Sequence, residues 1–241
     1  MSSGVPSEGL QLRSTVKADG TVEVALVRAP IPHPKADEVV VRIEASPINP
    51  SDLGLLFAGA DLKRARAGGT AELPTVSAPL APEQLRGVAA RVGQAMPVGN
   101  EGAGTVVAAG SSAQAQALLG KVVGVLGGEM YSQYRCLKIS QCQPFPPGVS
   151  PSQGAAWFIN PLTALCMLET LRREGHRALV HTAAASNLGR MLVLLCREEG
   201  VPLVNVVRRP EQVAPLSELG ATHVCDSSQP GFRESLAAAV A

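Results

Sequence analysis

Seven residues, Ala183-Ala184-Ala185-Ser186-Asn187-Leu188-Gly189, separate a short apolar run at 178–181 from a stretch with helical periodicity. A turn this small lets a pyrophosphate approach the backbone where a helix begins, and that end of a helix favours an anion. The helix is expected from about Asn187 to Glu199. Met191, Leu192, Leu195 and Cys196 form its apolar stripe, and Gly200-Val201-Pro202 stops it before a strand at 203–207. That strand delivers Arg208 and Arg209 where a carboxylate would grip the ribose of NAD; cations there suit the adenosine 2′-phosphate, so the pattern points to NADP(H). Only Gly189 stands where three glycines are usual, and Asn187 is expected to fill any position that needs positive φ. An ordinary βαβ crossover and a solvated strand end are the plain alternatives.

A chain of 241 residues can bury a real core, and two modest domains fit its patterning better than one. The net charge of +1 offers no electrostatic footprint for nucleic acid or an anionic membrane, and 3% aromatic content leaves few stacking platforms. Five cysteines, at 136, 142, 166, 196 and 225, form no C-x-x-C pair. They read as thiols in a reducing compartment rather than as a zinc ribbon or a disulfide framework. With no leader pattern in MSSGVPSEG and no run of about 18 apolar residues, the expectation is a soluble, cytoplasmic protein.

The elements that must position these residues follow two periodicities. LQLRSTVK, TVEVALV and EVVVRIEA alternate as strands, and Asp19-Gly20 between the first two predicts a hairpin with a type I′ turn. Pro30-Ile31-Pro32-His33-Pro34 is a loop, and further β runs at 104–109, 121–126 and 131–139 suggest a small antiparallel barrel. Residues 57–98 read as a long insertion, favoured as a lid, with a helix over 82–94. A domain boundary is expected near 144–152, giving units 1–150 and 151–241. Asn160 and Pro161 then start a helix, Asn160 as cap, with Leu162, Leu165, Met167, Leu168 and Leu171 making it mostly buried and Thr163 in its first turn.

Several segments coincide with one family. The barrel pattern, Ile48-Asn49-Pro50-Ser51-Asp52, Gly99-Asn100-Glu101-Gly102-Ala103-Gly104, Asn160-Pro161-Leu162-Thr163-Ala164, Ser186-Asn187-Leu188-Gly189 and Asn205-Val206-Val207-Arg208 resemble, in order and through nearly the whole chain, the medium-chain dehydrogenase/reductase superfamily. Within it the chain is similar to the zinc-independent quinone reductases and 2-enoyl thioester (enoyl-CoA) reductases. The resemblance implies an α/β protein, a GroES-like antiparallel β-barrel catalytic domain followed by a Rossmann domain, and NADPH as cofactor. It places Asn49 near the nicotinamide, Asn160 and Thr163 toward the nicotinamide side and phosphates, Ala185, Ser186, Asn187 and Leu188 along the pyrophosphate, and Arg208 and Arg209 on the 2′-phosphate. The zinc alcohol dehydrogenases of this superfamily carry cysteine and histidine in the segments that here read Pro50-Ser51-Asp52 and Gly99-Asn100-Glu101, so no metal is expected.

Two departures accompany the resemblance. Enoyl thioester reductases of this type carry a tyrosine soon after the Asn-Pro-Ser-Asp segment, where this chain has residues 57–98 and no tyrosine; Tyr131 and Tyr134 fall in a barrel run and read as core, Asp52 as a capping carboxylate. No catalytic acid is assigned. Three parallel strands are found where a doubly wound domain has about six, so a C-terminally truncated, incomplete Rossmann domain with a bare apolar edge on its first strand is expected. The functional expectation is hydride transfer from NADPH to an activated C=C or quinone of a small-molecule substrate, in a monomer or a homo-oligomer. The alternative is a non-catalytic NADPH-binding or regulatory protein, or an inactive fragment of such an enzyme.

Overall fold

A computed structural model describes residues 4–241. The order of elements begins β1 (Glu8–Val16), β2 (Thr21–Pro30), β3 (Glu38–Ala45), α1 (Pro50–Phe57), β4 (Arg66–Gly69), β5 (Pro74–Pro79), α2 (Pro82–Gly87) and β6 (Ala95–Pro97). It continues with β7 (Glu101–Ala109), α3 (Ala113–Gln116), β8 (Val122–Leu126), β9 (Tyr134–Lys138), β10 (Cys142–Pro144) and α4 (Pro151–Gly154). The remainder is α5 (Ile159–Arg173), β11 (Leu179–Thr182), α6 (Asn187–Glu198), β12 (Leu203–Val207), α7 (Val213–Glu218), β13 (His223–Asp226) and α8 (Phe232–Val240).

These elements form two units, Met1–Trp157 and Phe158–Ala241. The division falls later than the expected 150/151 because Pro151–Gly154 packs on β7 and β8, and Phe145 and Trp157 meet edge to face with ring centroids 6.2 Å apart.

The first unit holds two five-stranded antiparallel sheets, in the orders β4-β5-β2-β1-β6 and β10-β8-β7-β3-β9. β-Branched residues supply the core of the second: Val39, Val41, Val106, Val123 and Val125 pack around Met130 and Leu137. They suit the pleated surface because their χ1 is already restricted. Burying one such side chain stabilises by roughly 1.5–3 kcal/mol before entropy is set against it. A smaller cluster of Val16, Val22, Ala58, Ala78 and Leu80 serves the first sheet.

The β1–β2 hairpin forms as expected but not through a type I′ turn. Lys17 N donates to Thr21 O at 2.7 Å, closing a three-residue loop in which Gly20 alone has positive φ, at 81°. Asp19 instead accepts from Thr21 N and Oγ1, and these hydrogen bonds hold its carboxyl below the usual range.

Residues 57–98 are part of the sheet rather than a lid over it. β5 pairs with β2 and β6 with β1. The expected helix over 82–94 shortens to α2 and a 3₁₀ turn at Ala89–Arg91. That turn anchors the segment: Arg91 Nη2 donates to Leu55 O at 2.6 Å and to Ser14 Oγ at 3.2 Å, and Ser14 Oγ donates to Leu56 O at 2.7 Å.

In the second unit β11, β12 and β13 run parallel, with β12 in the middle. Leu192, Val193 and Cys196 of α6 pack with Leu203, Val207 and Leu216. β11 is the sheet edge among the described residues, and its Val180 is 51% exposed. α5 departs from expectation in two ways. Its cap position is Phe158, so Asn160 and Pro161 lie inside the first turn. Its buried stripe is Ala164, Leu168 and Leu171, the i, i+4, i+7 spacing of one helix face, which leaves Leu162 and Leu165 exposed at 42% and 49%.

Candidate functional site

The turn that follows β11 is built by close backbone packing. Ala184 is fully buried, its N–H donating to Val206 O at 3.2 Å, and Ser186 N donates back to Ala183 O at 2.9 Å. Ser186 caps α6, its Oγ accepting from Gly189 N at 3.1 Å. This satisfies one of the orphan donors of the first turn. A Cβ on Gly189 would lie 2.1 Å from Ala184 O, so only glycine fits where the first turn of the helix folds back on the turn before it. The residue with positive φ is Ala183, at 56°, and not Asn187, which is already helical. The chain reverses four residues earlier than expected, directly after β11, and an alanine carries the left-handed conformation. Ala185 and Leu188 are half-buried; Ser186 and Asn187 are exposed.

β12 lies beside β11 in parallel register, Thr182 opposite Val206, so Arg208 and Arg209 leave the sheet at the same end as this turn. Both arginines are exposed. Arg208 N donates to Gln212 Oε1 at 3.1 Å, which fixes its backbone, and its guanidinium has no carboxylate within 4 Å among the described residues. Arg209 pairs only loosely with Glu211, at 3.9 Å. The carboxylate at the end of β13, Asp226, is turned onto its own loop. It accepts from Ser228 N and Oγ at 2.9 and 2.8 Å, and these bonds hold it below the usual carboxylate range. Of the other expected residues, Thr163 spends its hydroxyl on Ile159 O at 2.6 Å, within the first turn of α5, where Asn160 also lies.

Asn49 stands in the first unit and is wired differently. It is buried, with its N–H donating to Asp52 Oδ2 at 2.8 Å and its Nδ2 to Glu101 Oε1 at 3.1 Å. Asp52, the third residue of α1, is the capping carboxylate that its spacing suggested, and it and Glu101 are both fully buried. Tyr131 precedes β9 instead of lying within a strand. Its hydroxyl donates to Pro47 O at 2.9 Å, which leaves Asp52 Oδ1 buried with no hydrogen-bond donor among the described residues. Burial first, then the nearby Asp52 carboxylate, push the Tyr131 phenol well above its usual range. The tie between Asn49 and Glu101, 52 positions apart, had no signal in local spacing. The described residues contain no group of three or more His, Cys, Asp or Glu placed to hold a metal ion.

No family profile matches the chain. Over 228 residues it is 28% identical to a mitochondrial enoyl-[acyl-carrier-protein] reductase of Caenorhabditis elegans, covering 91% of this chain and 54% of that protein. A chloroplastic quinone-oxidoreductase homolog of Spinacia oleracea is 28% identical over 187 residues, covering 74% and 49%. Among solved structures, a Mesorhizobium loti protein provisionally assigned as an NADPH:quinone reductase superposes with a TM-score of 0.68 at 28% identity, covering 97% of this chain and 64% of that one. The chain is similar to medium-chain enoyl and quinone reductases along most of its length. The CurF ER cyclopropanase of the curacin A biosynthetic pathway, at 24% identity and a TM-score of 0.67, shares the fold. The two-sheet unit and the parallel three-stranded unit correspond to the GroES-like and Rossmann-like domains of these medium-chain reductase structures. The chain spans about half the length of the curated relatives it matches.

Proposed function

We propose that the chain belongs to an oxidoreductase that binds NADPH and transfers hydride to an activated C=C, as in an enoyl thioester or enone, or to a quinone. The observation that carries this reading is the turn of the second unit. A serine-capped helix start is packed at Gly189 onto the backbone of Ala184 in the turn before it, and the neighbouring strand ends at the same edge in an arginine with no carboxylate within 4 Å among the described residues. The residues fit the cofactor they are proposed to hold. A turn of small residues packed on the start of α6 leaves room for a pyrophosphate against the N–H groups there, and two exposed guanidiniums suit a 2′-phosphate better than a ribose hydroxyl.

In this reading Ala185, Ser186, Asn187 and Leu188 line the pyrophosphate, Arg208 and Arg209 bind the 2′-phosphate, and Asn160 and Thr163 serve the phosphates and the nicotinamide side. Asn49, rigidly held by Asp52 and Glu101, orients the nicotinamide. The nicotinamide, when bound, supplies the hydride. The protein's share is orientation and polarisation of the acceptor carbonyl. No proton donor is assigned: the Tyr131 hydroxyl is held between Pro47 O and the neighbouring Asp52 carboxylate, and the segment after Asp52 contains no tyrosine.

That same observation favours a second reading, a protein that binds NADPH without turning over substrate. Calorimetric titration with NADPH and NADH, followed by NADPH oxidation with an enone, a quinone and an enoyl-CoA, separates the two. Micromolar NADPH-selective binding with turnover supports the reductase; binding with no oxidation of any acceptor supports the second reading; no binding of either nucleotide removes both.

A further inference from the structure

The first unit carries an open cleft of about 530 Å³ on the sheet that ends in β4, lined by Thr21, Arg64, Arg66, Ser77 and Pro79 among others. Its size falls among small-molecule sites and exceeds what a single ion needs. Strand register builds the polar wall. Arg66 lies opposite Ser77 across the β4–β5 ladder, so the two side chains share one face of the sheet, and Arg64 enters from the 3₁₀ turn just before β4.

Glu23, opposite Ser77 across the β2–β5 ladder, is neutralised by Lys17, and Asp19 and Asp61 flank the cleft, so its attraction for an anion rests on its two arginines. Neither Arg64 nor Arg66 has a carboxylate within 4 Å, and the Ser77 hydroxyl makes no hydrogen bond among the described residues. No acidic residue lines the cleft, and the nearby carboxylates are already engaged. Asp19 accepts from Thr21 N and Oγ1, Asp61 Oδ1 accepts from Lys63 N at 3.1 Å, and Glu23 pairs with Lys17 at 2.7 Å. Thr21 donates its only hydroxyl proton to Asp19, which leaves Ser77 as the hydroxyl donor. Two guanidinium groups and one hydroxyl lining one cleft match the oxygens of a phosphate, and Pro79, on the same face of β5 as Ser77, suits the apolar face of a sugar or base.

We infer that this cleft is a binding site for a phosphate ester of nucleoside size, formed wholly within the first unit and separate from the Arg208 edge of the second. The inference does not depend on the reductase reading. Its test is calorimetric titration with two probes, adenosine 3′,5′-bisphosphate and inorganic phosphate, at fixed low ionic strength. The full chain is compared with the double variant Arg64→Gln/Arg66→Gln, with Ser77→Ala and with Arg208→Ala.

The bisphosphate is expected to bind saturably and more tightly than inorganic phosphate. It should lose about tenfold or more in the double variant and a few-fold in Ser77→Ala, and be unchanged in Arg208→Ala. The substituted side chains are exposed or at the cleft rim, so thermal melting should be unaltered. Three outcomes overturn the inference: no saturable binding of either probe, equal affinity for both probes, or a loss that follows Arg208→Ala and spares the double variant.

Discussion

The polar residues around Asn49 and those around Ser186 solve opposite problems. In the first unit Asn49, Asp52 and Glu101 are buried and bonded to one another across 52 positions of sequence. In the second, Ser186, Asn187, Arg208 and Arg209 are exposed, and little beyond the backbone holds them. Buried carboxylates need every donor they have, so the first group is a rigid scaffold whose disturbance is felt as lost stability. Exposed cations and a capped helix start cost almost nothing to leave free, so substitution of the second group is felt as lost affinity while the fold persists.

The contrast can be broken in several places. The largest effect is expected where the second region is itself rigid: Gly189→Ala drives a Cβ onto Ala184 O and should destabilise the second unit by about 3 kcal/mol, read from urea unfolding, with loss of nucleotide binding. An unchanged midpoint would mean that the helix start and the Ala184 turn are not packed together there. Asn49→Ala strips a donor from the buried Glu101 and should cost about 2 kcal/mol in the first unit, whereas Asn187→Ala, exposed in the second, should stay within about 0.5 kcal/mol. Equal costs would erase the distinction between the two regions.

Ala183→Gly should stabilise by about 1 kcal/mol, because alanine occupies the left-handed region at φ 56° and glycine does so without strain. A loss of stability would show that the reversal lies elsewhere. The smallest expected effect is one of pH. Burial holds His181 neutral by lowering its pKa, and its Nε2 has no hydrogen-bond partner among the described residues. The folded pKa lies below the unfolded one, so the unfolded chain takes up the proton first. Stability should be full above about pH 6.5 and fall as pH drops through that value toward the folded pKa. His181→Gln should flatten that slope, and a slope that persists would assign it to other groups.

Much of the fold was legible in the residues where a period is strong and local. EVVVRIEA matches β3 residue for residue, and the expected 203–207 strand and the helix from Asn187 agree with β12 and α6 to within a residue. Each carries an uninterrupted apolar pattern bounded by turn residues. The strands within 57–98 were not legible. β4 ends in two glycines and β5 is bracketed by prolines, so their extended form comes from pairing, β5 with β2 and β4 with β5, and not from propensity. At the candidate site, the helix start near Asn187 and the exit of Arg208 could be read from spacing, whereas the Ser186 cap was not. The positive φ at Ala183, the bond from Asn49 to Glu101 and the Tyr131 contact with Pro47 depend on tertiary geometry that no local window contains.

The central claim is that the turn and the arginines of the second unit select NADPH. Its most direct test is calorimetric titration of the chain and of Arg208→Ala with NADPH and NADH. The account predicts micromolar binding that strongly prefers NADPH in the unaltered chain, a loss of roughly 1.5–3 kcal/mol for NADPH in the variant, and nearly unchanged NADH binding. Equal losses for both nucleotides, or no preference in the unaltered chain, would contradict it.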